Sequence, residues 1–317
     1  FYIIWLGGEE ILMKDIVLKT ENLTKKYKNF VALDNANITV YKGDIYGLIG
    51  RNGAGKTTLM KTVTTLTEKS SGKFELFGKS DVELTESKRR VGCLIENPAF
   101  FGNLTAYQNL KYYAIQKGIV DLSQIDKALK TVNLEEQRNK KFKSFSLGMK
   151  QRLGIAFAIL DNPDFIILDE PINGLDPMGI KSLRDTFTRL NEENGITIMI
   201  SSHILSELYI VANHFCFIDK GRIIKEISKE ELDAECSKCI AIKVLDVKKA
   251  TTVLEKDLKV DNYKVIDDEE IRIYDYLDNS AKVNKVLAEN NVDVKSIYEA
   301  GISLEEYFEN LVKDGVK

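Results

Sequence analysis

Between Asp15 and Glu226, short apolar β-rich runs alternate with longer stretches of helical period, the order expected of an α/β domain on a largely parallel sheet. Four runs stand out: Asp44–Ile49, Phe165–Leu168, Thr197–Ser201 and Phe215–Asp219. Their apolar residues are consecutive rather than alternating, which predicts strands covered on both faces. In such sheets the chemistry gathers beyond the carboxyl ends of the strands. From Thr105 to Leu160 the strand signals stop, and Leu110, Tyr113, Ala114 and Lys117 recur at helical spacing. That pattern predicts an inserted helical lobe over residues 97–162, with Pro163 at its exit. After a Lys220-Gly221 turn, Ile223–Ile227 closes a first domain spanning 13–227, and the polar stretch Ser228 to Lys238 reads as a linker. The remainder of a second domain, 228–317, runs βαββαβ: strand Ile240–Val247, helix Lys248–Lys256, strands Tyr263–Ile266 and Ile271–Tyr276, helix Ser280–Asn290 and strand Val292–Ile297. A last helix is announced by Ser303 and Glu306 as a capping box, with Leu304, Tyr307, Phe308 and Leu311 on one face.

Composition narrows the classes. In 317 residues, Lys+Arg 45 against Asp+Glu 48 leaves a net charge of -3, which removes the broad positive field of a nucleic-acid binder. The cysteines Cys93, Cys216, Cys236 and Cys239 are too scattered for a disulfide framework and point to a reducing, cytoplasmic setting. Cys236 and Cys239 have zinc-knuckle spacing, but no second pair or nearby histidine completes four ligands. No run approaches the roughly 20 apolar residues of a membrane span, so a membrane channel is expected on another chain. The segment 1–12 reads as a translated leader: Gly7-Gly8-Glu9-Glu10 lies just before Met13 as a ribosome-binding site would, and Met13 is the expected native start.

Candidate chemistry appears at the first strand end. Gly50-Arg-Asn-Gly-Ala-Gly-Lys-Thr57-Thr58 fits the phosphate-loop pattern G-x-x-x-x-G-K-[ST], after a predicted strand and before the helical run Thr58–Leu66. Gly50, Asn52, Gly53, Ala54 and Gly55 would wrap backbone N–H groups around the phosphates of ATP, with Thr58 following at the helix start. Lys56 would add a mobile cation, and Thr57 a hydroxyl for Mg²⁺. Downstream, Phe165-Ile-Ile-Leu-Asp169-Glu170 buries four apolar residues and then presents two acids. Asp169 would hold the Mg²⁺ shell and Glu170 would orient and polarise the attacking water.

Phosphate loops occur in many proteins, and the remaining motifs discriminate. Phe145-Ser146-Leu147-Gly148-Met149-Lys150-Gln151-Arg152 resembles the signature segment of ABC ATPases, Gly174-Leu175-Asp176-Pro177 resembles their D-loop, and His203 resembles their switch histidine. Tyr27 resembles the aromatic that stacks on adenine, although Phe30 is an equally placed candidate. The resemblance covers Asp15–Glu226. It implies a P-loop NTPase fold with an ABC-type nucleotide-binding domain and helical subdomain, here followed by a small α+β domain. It also implies a homodimer or paired ATPase subunit, closed head to tail so that Ser146 and Gly148 face the triphosphate on the partner. Separate transmembrane permease subunits would hold the pair at the inner face of the membrane, contacting the surface around Pro98–Asn109. Two departures mark a branch. Glu96 stands where the family usually has glutamine and would join Thr57 and Asp169 around Mg²⁺, and the signature reads Ser-Leu-Gly-Met rather than Ser-Gly-Gly-Gln. Both are similar to the bacitracin-resistance and lantibiotic-immunity exporters, as is the Ser303–Phe308 helix start. The alternatives are an ABC ATPase serving a multidrug or lipid-like substrate, or one acting in translation or repair; the C-terminal domain would dimerise, buttress the motor or bind a ligand.

Overall fold

The computed structural model describes residues 2–6, 9–13, 15–80, 83–96 and 100–314. Phe1, Gly7 and Gly8 of the leader, and Asn97, Pro98 and Ala99 of the expected permease-contact stretch, lie outside them. The chain divides into two compact units, one of Phe1–Lys229 with Leu311–Lys317 and the other of Glu230–Asn310.

In the first unit, β1 (Tyr2–Leu6) and β2 (Glu9–Met13) form an antiparallel pair. Then come β3 (Ile16–Tyr27), β4 (Phe30–Ala36), β5 (Thr39–Tyr41), β6 (Ile45–Ile49), α1 (Lys56–Val63), β7 (Ser71–Leu76), α2 (Leu84–Arg89) and β8 (Val91–Leu94). The helical lobe holds α3 (Ala106–Gln116), α4 (Ser123–Thr131) and α5 (Leu147–Ala158). Beyond it lie β9 (Phe165–Leu168), α6 (Pro177–Glu192), β10 (Thr197–Ser202), α7 (Leu205–Tyr209), β11 (His214–Asp219) and β12 (Arg222–Ser228). The principal sheet has the order β12-β11-β6-β10-β9-β8. Its strands are parallel except β12, which returns antiparallel to β11. Every residue of β6, β9 and β10 is buried, the consequence of unbroken apolar runs in a sheet covered on both faces.

A second, antiparallel layer that the apolar runs do not predict lies beside this sheet: β3 pairs with β4, β5 and β7. Its buried side chains Leu18, Leu23, Leu33 and Phe74 share one core with Tyr46, Leu48, Phe165 and Met199 of the parallel sheet. The helix after the phosphate loop is shorter than the predicted Thr58–Leu66 run, because Thr65 adopts φ +58° and stops it.

The stretch read as a linker contains a helix, α8 (Lys229–Cys236), which buries Leu232. After it come β13 (Cys239–Val244), α9 (Val247–Asp257), β14 (Tyr263–Val265), β15 (Glu270–Ile273), α10 (Ser280–Glu289) and β16 (Val294–Ala300). Their antiparallel sheet runs β14-β15-β13-β16, and Ile240, Ile242, Ile271 and Ile273 pack with Leu254, Val283 and Leu287 of the two helices. The last helix, α11 (Leu304–Asp314), opens with the Ser303 hydroxyl accepting from the Glu306 amide at 3.1 Å.

Candidate nucleotide site

The phosphate loop is held by backbone packing. Gly55 sits at φ +112°, and a Cβ there would lie 2.8 Å from the Ala32 carbonyl oxygen on β4. The same loop is tied to the β11–β12 turn, where the Gly221 amide donates to the Ala54 carbonyl at 2.8 Å. Gly50 is equally confined, since a Cβ would stand 2.5 Å from the Ile218 carbonyl oxygen. The loop therefore approaches its neighbours closely enough to need glycine, and it leads into the N-terminus of α1.

Lys56 lies across this loop almost fully buried. Its Nζ donates to the Gly50 carbonyl at 2.7 Å and to Arg51 at 3.3 Å, and is 3.1 Å from Glu170 Oε1. A buried ammonium is tolerated only when paired, and this one is held by two carbonyls and a carboxylate. Next to it the Thr57 hydroxyl donates to Asp169 Oδ2 at 2.7 Å. Parallel pairing of β9 and β10 brings Asp169 and Glu170 alongside Ser201, and the switch position follows on the same strand end. Glu170 Oε2 lies 3.1 Å from His203 Nδ1 and accepts from Asn173 Nδ2 at 3.1 Å. Thus Lys56, Thr57, Asp169, Glu170 and His203, drawn from positions 56 to 203, meet at the carboxyl end of the sheet.

Asn52, Gly53 and Thr58 fall in the same loop and helix start, with Gly53 at φ +78°. Glu96 does not join Thr57 and Asp169 in hydrogen bonding: its carboxylate is exposed and pairs with Lys61 on α1 at 2.6 Å. Tyr27 is 45% exposed at the end of β3, opposite Phe30, with the Lys25 ammonium 4.8 Å above its ring. Both aromatics therefore present exposed ring surface beside the phosphate-loop end of the sheet's antiparallel layer, Phe30 being 63% exposed.

Ser146 and Gly148 are elsewhere. Ser146 caps α5 by accepting from the Met149 amide at 3.3 Å, and Asp176 caps α6 by accepting from the Gly179 amide at 3.0 Å, with Pro177 in the first turn. Together with Gly148, Leu175 and Arg152 they line a hollow of about 480 Å³ that contains no residue of the phosphate loop. Among the described residues no cluster of three or more His, Cys, Asp or Glu side chains forms a self-contained metal cage. One carboxylate and one hydroxyl beside a phosphate loop suit Mg²⁺, which keeps waters and takes substrate phosphate oxygens as ligands.

The ABC transporter family matches residues 33–173. Over 308 residues the chain is 42% identical to the bacitracin transport ATP-binding protein BcrA of Enterococcus faecalis, covering 96% of this chain and 99% of that one. The chain belongs to the ABC transporter ATP-binding proteins. It is an ABC-type ATPase, the nucleotide-binding subunit of a transporter. It is also 45% identical over 210 residues to the lantibiotic transport ATP-binding protein SrtF of Streptococcus pyogenes, covering 66% of this chain and 90% of that one. Among solved structures, the dimeric post-hydrolysis cassette MJ0796 bound to ADP and Pi superposes with TM-score 0.61 at 26% identity, over 67% of this chain and 98% of that one. The cbiO1 subunit of Clostridium perfringens, part of the complex cbiONQ, gives 0.63 at 26% identity, over 78% and 98%. No helix among the described residues of this ATPase is long and apolar enough to cross a membrane.

Two site residues escaped the sequence reading. Ser201 bonds both acids, donating to Asp169 Oδ1 at 2.6 Å and accepting from the Glu170 amide at 2.9 Å. Asn173 fixes one Glu170 oxygen. Nothing local in sequence marks Ser201, because its role arises only when strand ends meet, whereas Asn173 lies three residues past Glu170 and that spacing is the signal that marks it.

Proposed function

We propose that this ATPase drives an exporter of peptide antibiotics of the bacitracin or lantibiotic kind, as a head-to-tail pair beneath a separate permease. The observation that carries the substrate class is the similarity to BcrA, which extends through both units rather than the nucleotide-binding unit alone. The pairing is supported by the separation of Ser146 and Gly148 from the phosphate loop of their own chain: a serine hydroxyl and a helix N-terminus facing outward are anion ligands without an anion source in the same hollow.

In each half, Lys56 and the loop amides grip the triphosphate, and Ser146 and Gly148 of the second copy close over it. Thr57 and Asp169 would hold Mg²⁺, which supplies charge neutralisation at the phosphates. Glu170 orients and polarises the attacking water, while His203 and Asn173 steady its carboxylate and His203 reaches toward the γ-phosphate. Release of phosphate separates the copies, and the permease follows. Glu96, which pairs with Lys61 on α1, would join Thr57 and Asp169 around Mg²⁺ once that pair opens.

Glu170→Gln keeps the shape and removes the carboxylate. Turnover should fall by about a hundredfold or more, ATP should still bind, and size-exclusion chromatography should show a nucleotide-dependent dimer. Cells carrying only this variant should be as sensitive to bacitracin or a lantibiotic as cells lacking the protein. Brisk hydrolysis by the variant would remove Glu170 from the chemistry, and unaltered tolerance would remove the substrate class.

A further inference from the structure

We propose that Ser201 is a positioning residue whose single hydroxyl sets the orientation of both acids of the site. The assignment rests on the roles given above to Asp169 and Glu170 and adds the group that holds them in place.

Ser201 lies on β10, the strand between the one that delivers the phosphate loop and the one that delivers the acids. The register places Ile200 opposite Leu168 on one side and Ser201 opposite Leu48 on the other, so Ser201 stands beside Asp169 where β9 ends. It is fully buried. A hydroxyl has one proton and two lone pairs, and both capacities are used: the proton goes to Asp169 Oδ1 at 2.6 Å, and a lone pair takes the Glu170 amide at 2.9 Å. The first contact is a short, charge-assisted bond, the stronger kind.

Each contact constrains a different degree of freedom. With Oδ1 tied to Ser201 and Oδ2 tied to Thr57, the Asp169 carboxylate cannot rotate about its own axis without losing a bond. Glu170 sits at φ +46°, a left-handed conformation that disfavours side chains, and it turns the chain out of β9 into the loop that follows. The Ser201 oxygen takes the amide at that turn. The direction in which the Glu170 side chain leaves the backbone, toward Lys56 and His203, is therefore secured by the same atom that fixes Asp169. Alanine at 201 would free both at once, whereas threonine would keep the hydroxyl and suits a strand.

The test uses the full-length protein and Ser201→Ala, Ser201→Thr, Asp169→Asn and Glu170→Gln. For Ser201→Ala, affinity for a fluorescent ATP analogue in EDTA should stay within about twofold, because the hydrogen bonds that Ser201 loses run to Asp169 and Glu170 rather than to the loop. The Mn²⁺ needed to half-fill the nucleotide-loaded protein, followed by electron paramagnetic resonance of the free ion, should rise by about tenfold or more. Turnover should fall by about ten- to a hundredfold with KM little changed, and threonine should recover most of both losses. A Ser201→Ala protein with normal circular dichroism that keeps its Mn²⁺ midpoint and its turnover overturns the proposal. So does a normally melting Ser201→Thr protein as defective as the alanine variant, since packing alone would then account for the loss. If Asp169→Asn binds Mn²⁺ normally, or Glu170→Gln hydrolyses ATP at full rate, the underlying roles of the acids are wrong. If those variants fail as expected and Ser201→Ala does not, only the role of Ser201 is.

Discussion

Gly55 shows how a single missing carbon organises the site. Its φ of +112° is open to glycine and strained for any other residue, and the Ala32 carbonyl occupies the space a Cβ would need. Gly55→Ala should cost about 1–3 kcal/mol of stability and weaken ATP binding in calorimetry, because the loop must retreat from β4 and its amides move with it. Gly43 provides the control: at φ +86° with nothing within 4 Å of a Cβ, its alanine variant should be destabilised less and bind ATP normally. Residues of this loop were legible in sequence because their meaning is local, a fixed spacing between a strand and a helix. Ser201 was not, since a serine ending an apolar strand looks like any polar strand end until Asp169 and Glu170, more than thirty positions away, arrive beside it. The resemblance assigns Glu96 to the metal because it stands where the family has glutamine, and its bond to Lys61 depends on how α1 and β8 approach each other.

At the scale of elements, β6, β11 and β12 enclose a polar cluster in an apolar sheet. The buried Tyr46 hydroxyl donates to Glu226, which also accepts from the Thr39 amide at 3.2 Å, and the Tyr46 ring stacks on His214 with centroids 5.5 Å apart. Burial pushes the Cys216 thiol well above its usual range, with the Glu226 charge adding to it; burial, Cys216 and Glu226 raise the Tyr46 phenol likewise. In the unfolded chain a thiol titrates near about 8.5 and a phenol near about 10. Below that range both states hold these protons and stability is unaffected; above it the unfolded chain releases them first, and stability falls as pH rises. Each group contributes a slope of about 1.4 kcal/mol per pH unit until its folded form also ionises. Urea midpoints should therefore drop above about pH 9, and Cys216→Ala should flatten the drop even if it lowers the starting stability. An unchanged slope would show that Cys216 is not the group responsible. The parallel strands of this sheet were readable from unbroken apolar runs, but the antiparallel layer was not: the burial of β3 follows no regular alternation, interrupted as it is by register shifts against β4, β5 and β7. Helix α8 was hidden for a related reason, as a mostly polar segment with one fully buried leucine resembles a linker.

The whole molecule contains two units with separate cores, and its half-sites for nucleotide lie in the first: a phosphate cradle with its acids at one place, a serine-glycine helix start at another. In a head-to-tail pair related by a twofold axis, each cradle meets the helix start of the other copy, so two sites form and each needs one part from each chain. This arrangement predicts complementation. Lys56→Ala ruins the cradle and leaves the lid, whereas Gly148→Asp places a negative charge where phosphate must approach and leaves the cradle. Either variant alone should be inactive. Mixed in equal amounts, about half the pairs are mixed and one of the two sites in each is complete, so about a quarter of the wild-type hydrolysis should return if the sites act independently. The recovery should depend on total protein concentration, since dilution separates the copies before it affects the fold of either one. With mixed pairs verified by two affinity tags, a preparation as inactive as its components would exclude independent shared sites, and hydrolysis by Gly148→Asp alone would mean that the cradle needs no lid from its partner.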